Sequence, residues 1–188
     1  MRILILGPQG SGKGTQAQRI ASAYGVPHIA TGDMFRAAVA TGSELGAQVG
    51  PILERGDLVP DDLTIELIRE RLAEEDGFVL DGFPRTVPQA EALDAMLEEI
   101  GKPLDAVILL QVSDDVATER LRERAAKEGR ADDSPEAIAN RLRQYHELTE
   151  LVVDRYQQAG IEVIVDGEQT MDVVFAAIQD ALEGVTAR

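Results

Sequence analysis

The chain has 188 residues, 34 acidic against 18 basic side chains, a formal net charge of −16 and 44% hydrophobic residues. That length and apolar content suit one domain with a real core and exclude a disordered chain. Cysteine is absent and His28 and His146 are the only imidazoles, which excludes a disulfide framework, a thiolate or histidine-rich metal site and a thiol nucleophile.

In chain order, Arg2–Leu6 is a continuous apolar run ending at Gly7, the pattern of a strand buried on both faces. Helical spacing follows from Lys13 to Tyr24, and His28–Ala30 reads as a short second strand. Helices are predicted over Asp33–Ala40, Leu45–Glu54 and Asp61–Ala73, a third strand over Gly77–Asp81 and a helix over Pro88–Ile100. Asp105–Val112 is a fourth strand, followed by helices over Asp115–Ala126 and Pro135–Gln158, a fifth strand over Ile161–Val165 and a helix over Met171–Leu182. Strands alternating with helices predict a parallel sheet of five strands covered on both faces, with the ligand at the carboxyl ends of the strands. No window approaches the roughly 18 consecutive apolar residues of a membrane helix, and the N-terminus lacks the layout of a secretory signal. A cytoplasmic protein is expected, and its acidic balance speaks against nucleic acid as a partner.

Between the first strand and the first helix stands Gly7-Pro8-Gln9-Gly10-Ser11-Gly12-Lys13-Gly14-Thr15. Gly7, Gly12 and Lys13 fit the phosphate-binding loop: glycines let backbone N–H groups curve round an anion, the helix N-terminus adds about half a positive charge, and the lysine bridges the outer phosphates. Gly14 stands where the general pattern has a hydroxyl, so direct coordination of Mg²⁺ by Thr15 does not follow. Of the 18 cations only Lys13, Lys102 and Lys127 are lysine, and the other 15 are arginine, the better fork for phosphate oxygens.

Several polar residues admit two readings each. Thr31 and Asp33 suit helix capping or a ligand contact. Asp81 ends an apolar strand beside the loop, where a carboxylate needs a cation or an ion pair. Arg85, four residues on, is a phosphate clamp or a surface ion pair, and Gln89 is a base-recognising amide or an ordinary helix residue. Arg120 and Arg124 share one helix face, where two like charges call for an anion or mutual solvation. Arg122 faces elsewhere. Arg130 and Arg141 bracket a polar stretch as ligand arginines or as a solvated face.

The block Gly12-Lys13-Gly14-Thr15-Gln16-Ala17 resembles the nucleoside monophosphate kinases, and the adenylate kinase family in particular. The resemblance continues at Thr31–Arg36, Gly56–Asp61, Asp81–Thr86 with Gln89, Arg130–Asp133, Asn140–Leu142 and Val165–Gly167, in the family's order over nearly the whole chain. It implies a three-layer α/β/α P-loop kinase domain over residues 1–188, with an AMP-binding insertion at 30–59 and a short lid at 126–136. It implies transfer between ATP and AMP giving two ADP, by a monomer whose partners are these nucleotides. ATP would lie on Gly10, Ser11, Gly12, Lys13, Gly14, Thr15, Arg120, Arg124 and Gln169. AMP would lie on Thr31, Arg36, Asp57, Leu58, Val59, Gly82, Phe83, Pro84, Arg85, Gln89, Arg130 and Arg141. Lys13, Arg85, Arg124, Arg130 and Arg141 would be catalytic, and Asp81 with Asp33 would hold Mg²⁺ through water. No zinc site is expected. Two other functions remain open from the residues: a UMP or CMP kinase, and a P-loop ATPase or switch module.

Acidic surfaces repel themselves until screened, and an excess of this size suits a salty medium. The midpoint of thermal unfolding is expected to rise between low and molar KCl; a midpoint that stays put overturns the salt reading.

Overall fold

The computed structural model describes residues 1–186. Five strands, β1 (Arg2–Leu6), β2 (His28–Ala30), β3 (Phe78–Asp81), β4 (Ala106–Gln111) and β5 (Glu162–Asp166), form one parallel sheet in the order β2-β3-β1-β4-β5. The helices are α1 (Lys13–Tyr24), α2 (Thr31–Ala40), α3 (Glu44–Glu54), α4 (Asp61–Leu72), α5 (Val87–Glu99), α6 (Asp114–Glu128), α7 (Pro135–Gln144), α8 (Glu150–Ala159) and α9 (Met171–Thr186). This is the expected three-layer α/β/α architecture.

The period-two alternation of a strand explains the layers. In β1, Leu4 and Leu6 pack with Ile68 of α4, Leu93 of α5 and Val152 of α8. Ile3 and Ile5 pack on the opposite face with Ile20 of α1 and Ile178 of α9. Ile3, Leu4, Ile5 and Leu6 are all essentially inaccessible, so after Arg2 the strand has no polar face and reads as an unbroken apolar run. The chain moves to one side of β1 for β2 and β3 and to the other for β4 and β5. The point where that direction reverses opens a crevice at the carboxyl end of β1. Ile5 pairs with Asp81 on β3 and with Ile108 on β4, which sets the Asp81 carboxylate level with the start of the glycine-rich loop.

Two smaller cores serve the crevice. Phe35 of α2, Val49 of α3 and Val59 form one, with Leu63 and Leu67 of α4 against it. Ala117 and Leu121 of α6 form the other with Ile138 and Leu142 of α7. Helix α6 runs to Glu128, beyond its predicted end, so only Gly129–Ser134, with one 3₁₀ turn at Ala131–Asp133, lies between α6 and α7. The predicted helix from Pro135 to Gln158 is interrupted by a π-helical turn at Tyr145–Thr149. Helix α2 begins at Thr31, two residues earlier than predicted, and Thr31 is its first residue rather than its cap. No helix among the described residues is long and apolar enough to cross a membrane.

Leu80 is fully buried in β3. Leu80→Ala is expected to lower unfolding free energy by about 3 kcal/mol, the usual cost of a core cavity. Chemical denaturation checks it; a loss below about 1 kcal/mol would show that the site collapses around the vacancy.

Candidate active site

The loop after β1 leads straight into α1. Gly10 has φ 87°, and a Cβ there would stand 2.4 Å from the Ala117 carbonyl oxygen, so only glycine lets the loop lie against α6. Gly12 caps α1 and offers no side-chain acceptor to the helix, leaving first-turn N–H groups and the positive end of the helix dipole facing the crevice. Lys13 Nζ donates to the carbonyls of Gly7 and Pro8, both at 2.7 Å. Burial lowers its pKa to about 8; Asp81 works against that and the charges of Arg85 and Arg124 work with it. Ser11 Oγ is buried with no hydrogen-bond partner among the described residues, and Thr15 is exposed on the first turn of α1.

Asp81 closes β3 facing the loop: its Oδ2 would stand 3.5 Å from a Cβ at position 14 and lies 3.6 Å from His28 Nε2. Burial alone would raise its pKa. The adjacent His28 imidazole and the charges of Lys13 and Arg85 lower it further than that, so the carboxyl is ionised at neutral pH.

Arg85 is held by neutral groups. Its Nε donates to the Gly82 carbonyl at 2.8 Å, its N–H donates to Gln89 Oε1 at 2.8 Å, and its carbonyl accepts from Thr149 Oγ1 at 3.0 Å. Burial, then the charges of Arg141 and Arg36, push its pKa down to about 10 against the pull of Asp81. The turn that aims it depends on Gly82, which has φ 80° and where a Cβ would meet Thr31 Oγ1 at 2.8 Å.

A second group of arginines is organised by two aspartates that sequence reasoning left without a role. Asp133, whose side chain is fully buried, accepts from Arg124 Nε at 2.8 Å and Nη2 at 2.7 Å, and from Arg141 Nη1 at 3.0 Å. Asp132 accepts from Arg141 Nη2 at 2.5 Å and stands 3.6 Å from Arg36 Nη1. Burial raises the Asp132 pKa, but the hydrogen bond and charge of Arg141, with the charge of Arg36, lower it more. The signal was in the sequence: two adjacent acids within a polar stretch bracketed by arginines, in a region where buried charges must pair.

Two clefts adjoin here. One, of about 430 Å³, is lined by Gly7, Gln9, Lys13, Arg141, Tyr145 and Thr149 among others. The other, of about 340 Å³, is lined by Thr31, Phe35, Asp57, Val59, Thr64 and Gln89 among others. Leu58, Gly82 and Arg85 line both.

The structure thus gathers Lys13, Asp81, Arg85, Arg124 and Arg141 with Arg36, and lines the second cleft with Thr31, Asp57, Leu58, Val59, Gly82 and Gln89. Phe83 is buried in the core behind that cleft, while Pro84 lines the first. Four expected residues have protein partners of their own, and Arg120 keeps one of its partners, the Ser11 carbonyl at 3.5 Å, within the glycine-rich loop. Arg130 bonds Glu128 at 2.6 Å, and Asp33 bonds Arg36 at 2.5 Å. Arg120 donates to the Gly167 carbonyl at 2.9 Å, and Gln169 donates to Asp166 at 2.8 Å. Thr31 spends its hydroxyl proton on the Gly82 carbonyl at 2.9 Å. Gln89 is not a solvated helix residue: it is buried, and Asp61 Oδ1 takes its Nε2–H at 2.7 Å.

A divalent cation that keeps its waters needs one or two carboxylates and the ligand's own phosphates, not a cage of protein oxygens. Ionised Asp81 facing the loop at Gly14 fits that demand. Asp33 would first have to release Arg36. Among the described residues no group of three or more acidic or imidazole side chains forms a metal cage.

The model of the adenylate kinase family matches residues 5–161. Adenylate kinase of Stenotrophomonas maltophilia (strain R551-3) is 48% identical over 187 residues, 98% of this chain and 100% of that protein. Adenylate kinase of Xanthomonas euvesicatoria pv. vesicatoria (strain 85-10) is 48% identical over 185 residues, 97% of this chain and 99% of that protein. Identity at this level over whole chains, on a sheet whose crevice holds a phosphate-type loop and converging arginines, means that the chain belongs to the adenylate kinase family.

Proposed function

We infer that this chain transfers the terminal phosphoryl group of ATP to AMP and back, giving two ADP. The observation that carries the reading is Arg85, which lines both clefts at once and, among the described residues, has only neutral hydrogen-bond partners. A guanidinium set between two anion sites can touch donor and acceptor phosphates together.

The acceptor phosphate oxygen is already a nucleophile, so the work is positioning and charge neutralisation. The N–H groups from Gly10 to Thr15 and the start of α1 cradle the donor phosphates, and the Lys13 ammonium turns from its two carbonyls to the outer phosphate. Arg120 and Gln169 lie on the ATP side. Thr31, Arg36, the segment Asp57–Val59, the Gly82–Pro84 turn and Gln89 take AMP in the 340 Å³ cleft. Arg85, Arg124 and Arg141 close round the group in transit, and Arg130 joins them by leaving Glu128. Asp132 and Asp133 hold these arginines in place without donating to the reaction. Asp81, with Asp33 once it is released, would hold Mg²⁺ through water, and the bound ion supplies further neutralisation of the phosphate charge. Residues 30–59 act as the AMP-binding insertion and 126–136 as the lid, excluding water that would otherwise receive the phosphoryl group. A single chain suffices, because residues of this chain wall both clefts.

A coupled assay of ADP formation tests the reading. AMP is expected to be the preferred acceptor over UMP, CMP and GMP, and Arg85→Ala is expected to lower kcat/KM by about 10²–10³ with the unfolding transition retained. A preference for a pyrimidine acceptor, or ATP hydrolysis independent of AMP, overturns it.

Lys13 supplies a second test. Its ammonium, with a pKa lowered to about 8, is present below that pH and lost above it. Phosphates prefer the charged form, so ATP affinity, measured without Mg²⁺, is expected to hold to near pH 8. It should then fall by up to about tenfold per pH unit. Lys13→Met should bind weakly with no such limb; a wild-type affinity flat from pH 7 to 9.5 overturns this assignment.

A further inference from the structure

We propose that the Asp57 side chain is a positioning residue for the acceptor nucleotide: held by α7, it latches the insertion across the AMP cleft. The proposal rests on the reading of that cleft as the AMP site and adds a residue role to it.

Asp57 Oδ1 accepts from Asn140 Nδ2 at 2.8 Å and from Gln144 Nε2 at 3.3 Å, while Oδ2 accepts from Arg55 Nε at 2.8 Å. Asn140 Nδ2 also donates to the Arg55 carbonyl at 3.0 Å. The backbone is pressed to the same helix: Gly56 has φ 72°, and a Cβ there would stand 2.6 Å from the Ala137 carbonyl oxygen. Positions 137, 140 and 144 recur on one face of a helix. One strip of α7 therefore receives the whole Arg55–Asp57 turn.

What the turn carries gives the contact its meaning. Asp57 and the next two residues line the AMP cleft, and Leu58 reaches the phosphate cleft as well. On α7, the residue after Asn140 is Arg141, whose guanidinium is buried on Asp132 and Asp133. The latch thus ties a wall of the AMP cleft to the helix that carries a phosphate arginine. Its parts are partly exposed, with side-chain accessibilities of 60% for Arg55 and 37% for Asp57. Such contacts add little to global stability. The insertion's own apolar core, around Phe35, Val49 and Val59, is made by α2, α3 and α4 without α7. The polar clasp sets alignment rather than folding.

Steady-state kinetics on the full chain test this, with AMP and ATP varied separately and the unfolding midpoint recorded for each variant. Asp57→Ala and Asn140→Ala are each expected to raise KM for AMP about tenfold, as loss of a hydrogen bond to a charged group does, with the change falling on KM for AMP rather than on kcat or KM for ATP. The double variant should be no worse than the worse single one, because the two act through one contact. Gln144→Glu removes no heavy atom and sets a like charge against Asp57; it should raise KM for AMP similarly, and adding Asp57→Asn should restore most of it. That isosteric pair decides the matter should an alanine variant fail to fold. Unchanged KM for AMP, additive singles, or a joint change of kcat and both KM values with a lowered midpoint overturns the latch. A wild type that makes no ADP from AMP overturns the assigned function and the latch with it; an active wild type with unaltered variants overturns the latch alone.

Discussion

The crowding of positive charge at the carboxyl end of the sheet is the constraint on which the site depends. Lys13, Arg36, Arg85, Arg124 and Arg141 converge there, and the structure compensates them unequally. Arg124 and Arg141 share the buried Asp133 carboxylate. Arg85 and Lys13 rest on carbonyl groups, which carry only partial charges. Burial, which the nearby Asp81 carboxylate only partly offsets, lowers the pKa values of these two to about 10 and about 8. An entering polyanion offsets that burial further, so the fold stores a preference for phosphate in groups it has left under-compensated. Asp132 and Asp133 make the arrangement tolerable by fixing the other arginines, since a buried charge without a partner is among the most destabilising features a protein can contain.

The same division resolves the oddity of a nucleotide enzyme with a net charge of −16. Many acidic side chains lie on the outside, in partly exposed pairs such as Arg155 with Asp94 and Arg19 with Asp172. The basic groups of the site turn inward at the carboxyl end of the sheet. Long-range repulsion from the surface falls off over about 8–10 Å at moderate salt, whereas the cleft charges act at contact distance in a drier setting. The crevice at the switch point of the sheet is where the two regimes meet.

Much of this was legible in the sequence because the local patterns were unopposed. The strands announce themselves as apolar runs since both faces are covered, and the loop glycines mark places where backbone passes close to backbone. What stayed hidden is pairing across distance. Nothing local ties Asp57 to Asn140, 83 residues away, or Gln89 to Asp61, 28 away. The π turn at Tyr145–Thr149 was equally silent, because one extra residue in a turn leaves helical composition unchanged. Yet that turn helps place Thr149 against the Arg85 carbonyl. Thr31 differs in another way: the cap position falls on Ala30, and the Thr31 hydroxyl, one residue inside the helix, donates to the Gly82 carbonyl instead.

The central position of β1 bears on how the chain is made. Its partners are β3, from Phe78, and β4, from Ala106, so β1, made before both, is paired only after much of the chain has followed. At about 5–20 residues per second, the apolar segment Arg2–Leu6 waits on the order of 5–20 s before both neighbours exist. Its natural alternatives in that interval are another nascent strand or a chaperone. A segment buried on both faces of the finished sheet thus passes that interval without either neighbour.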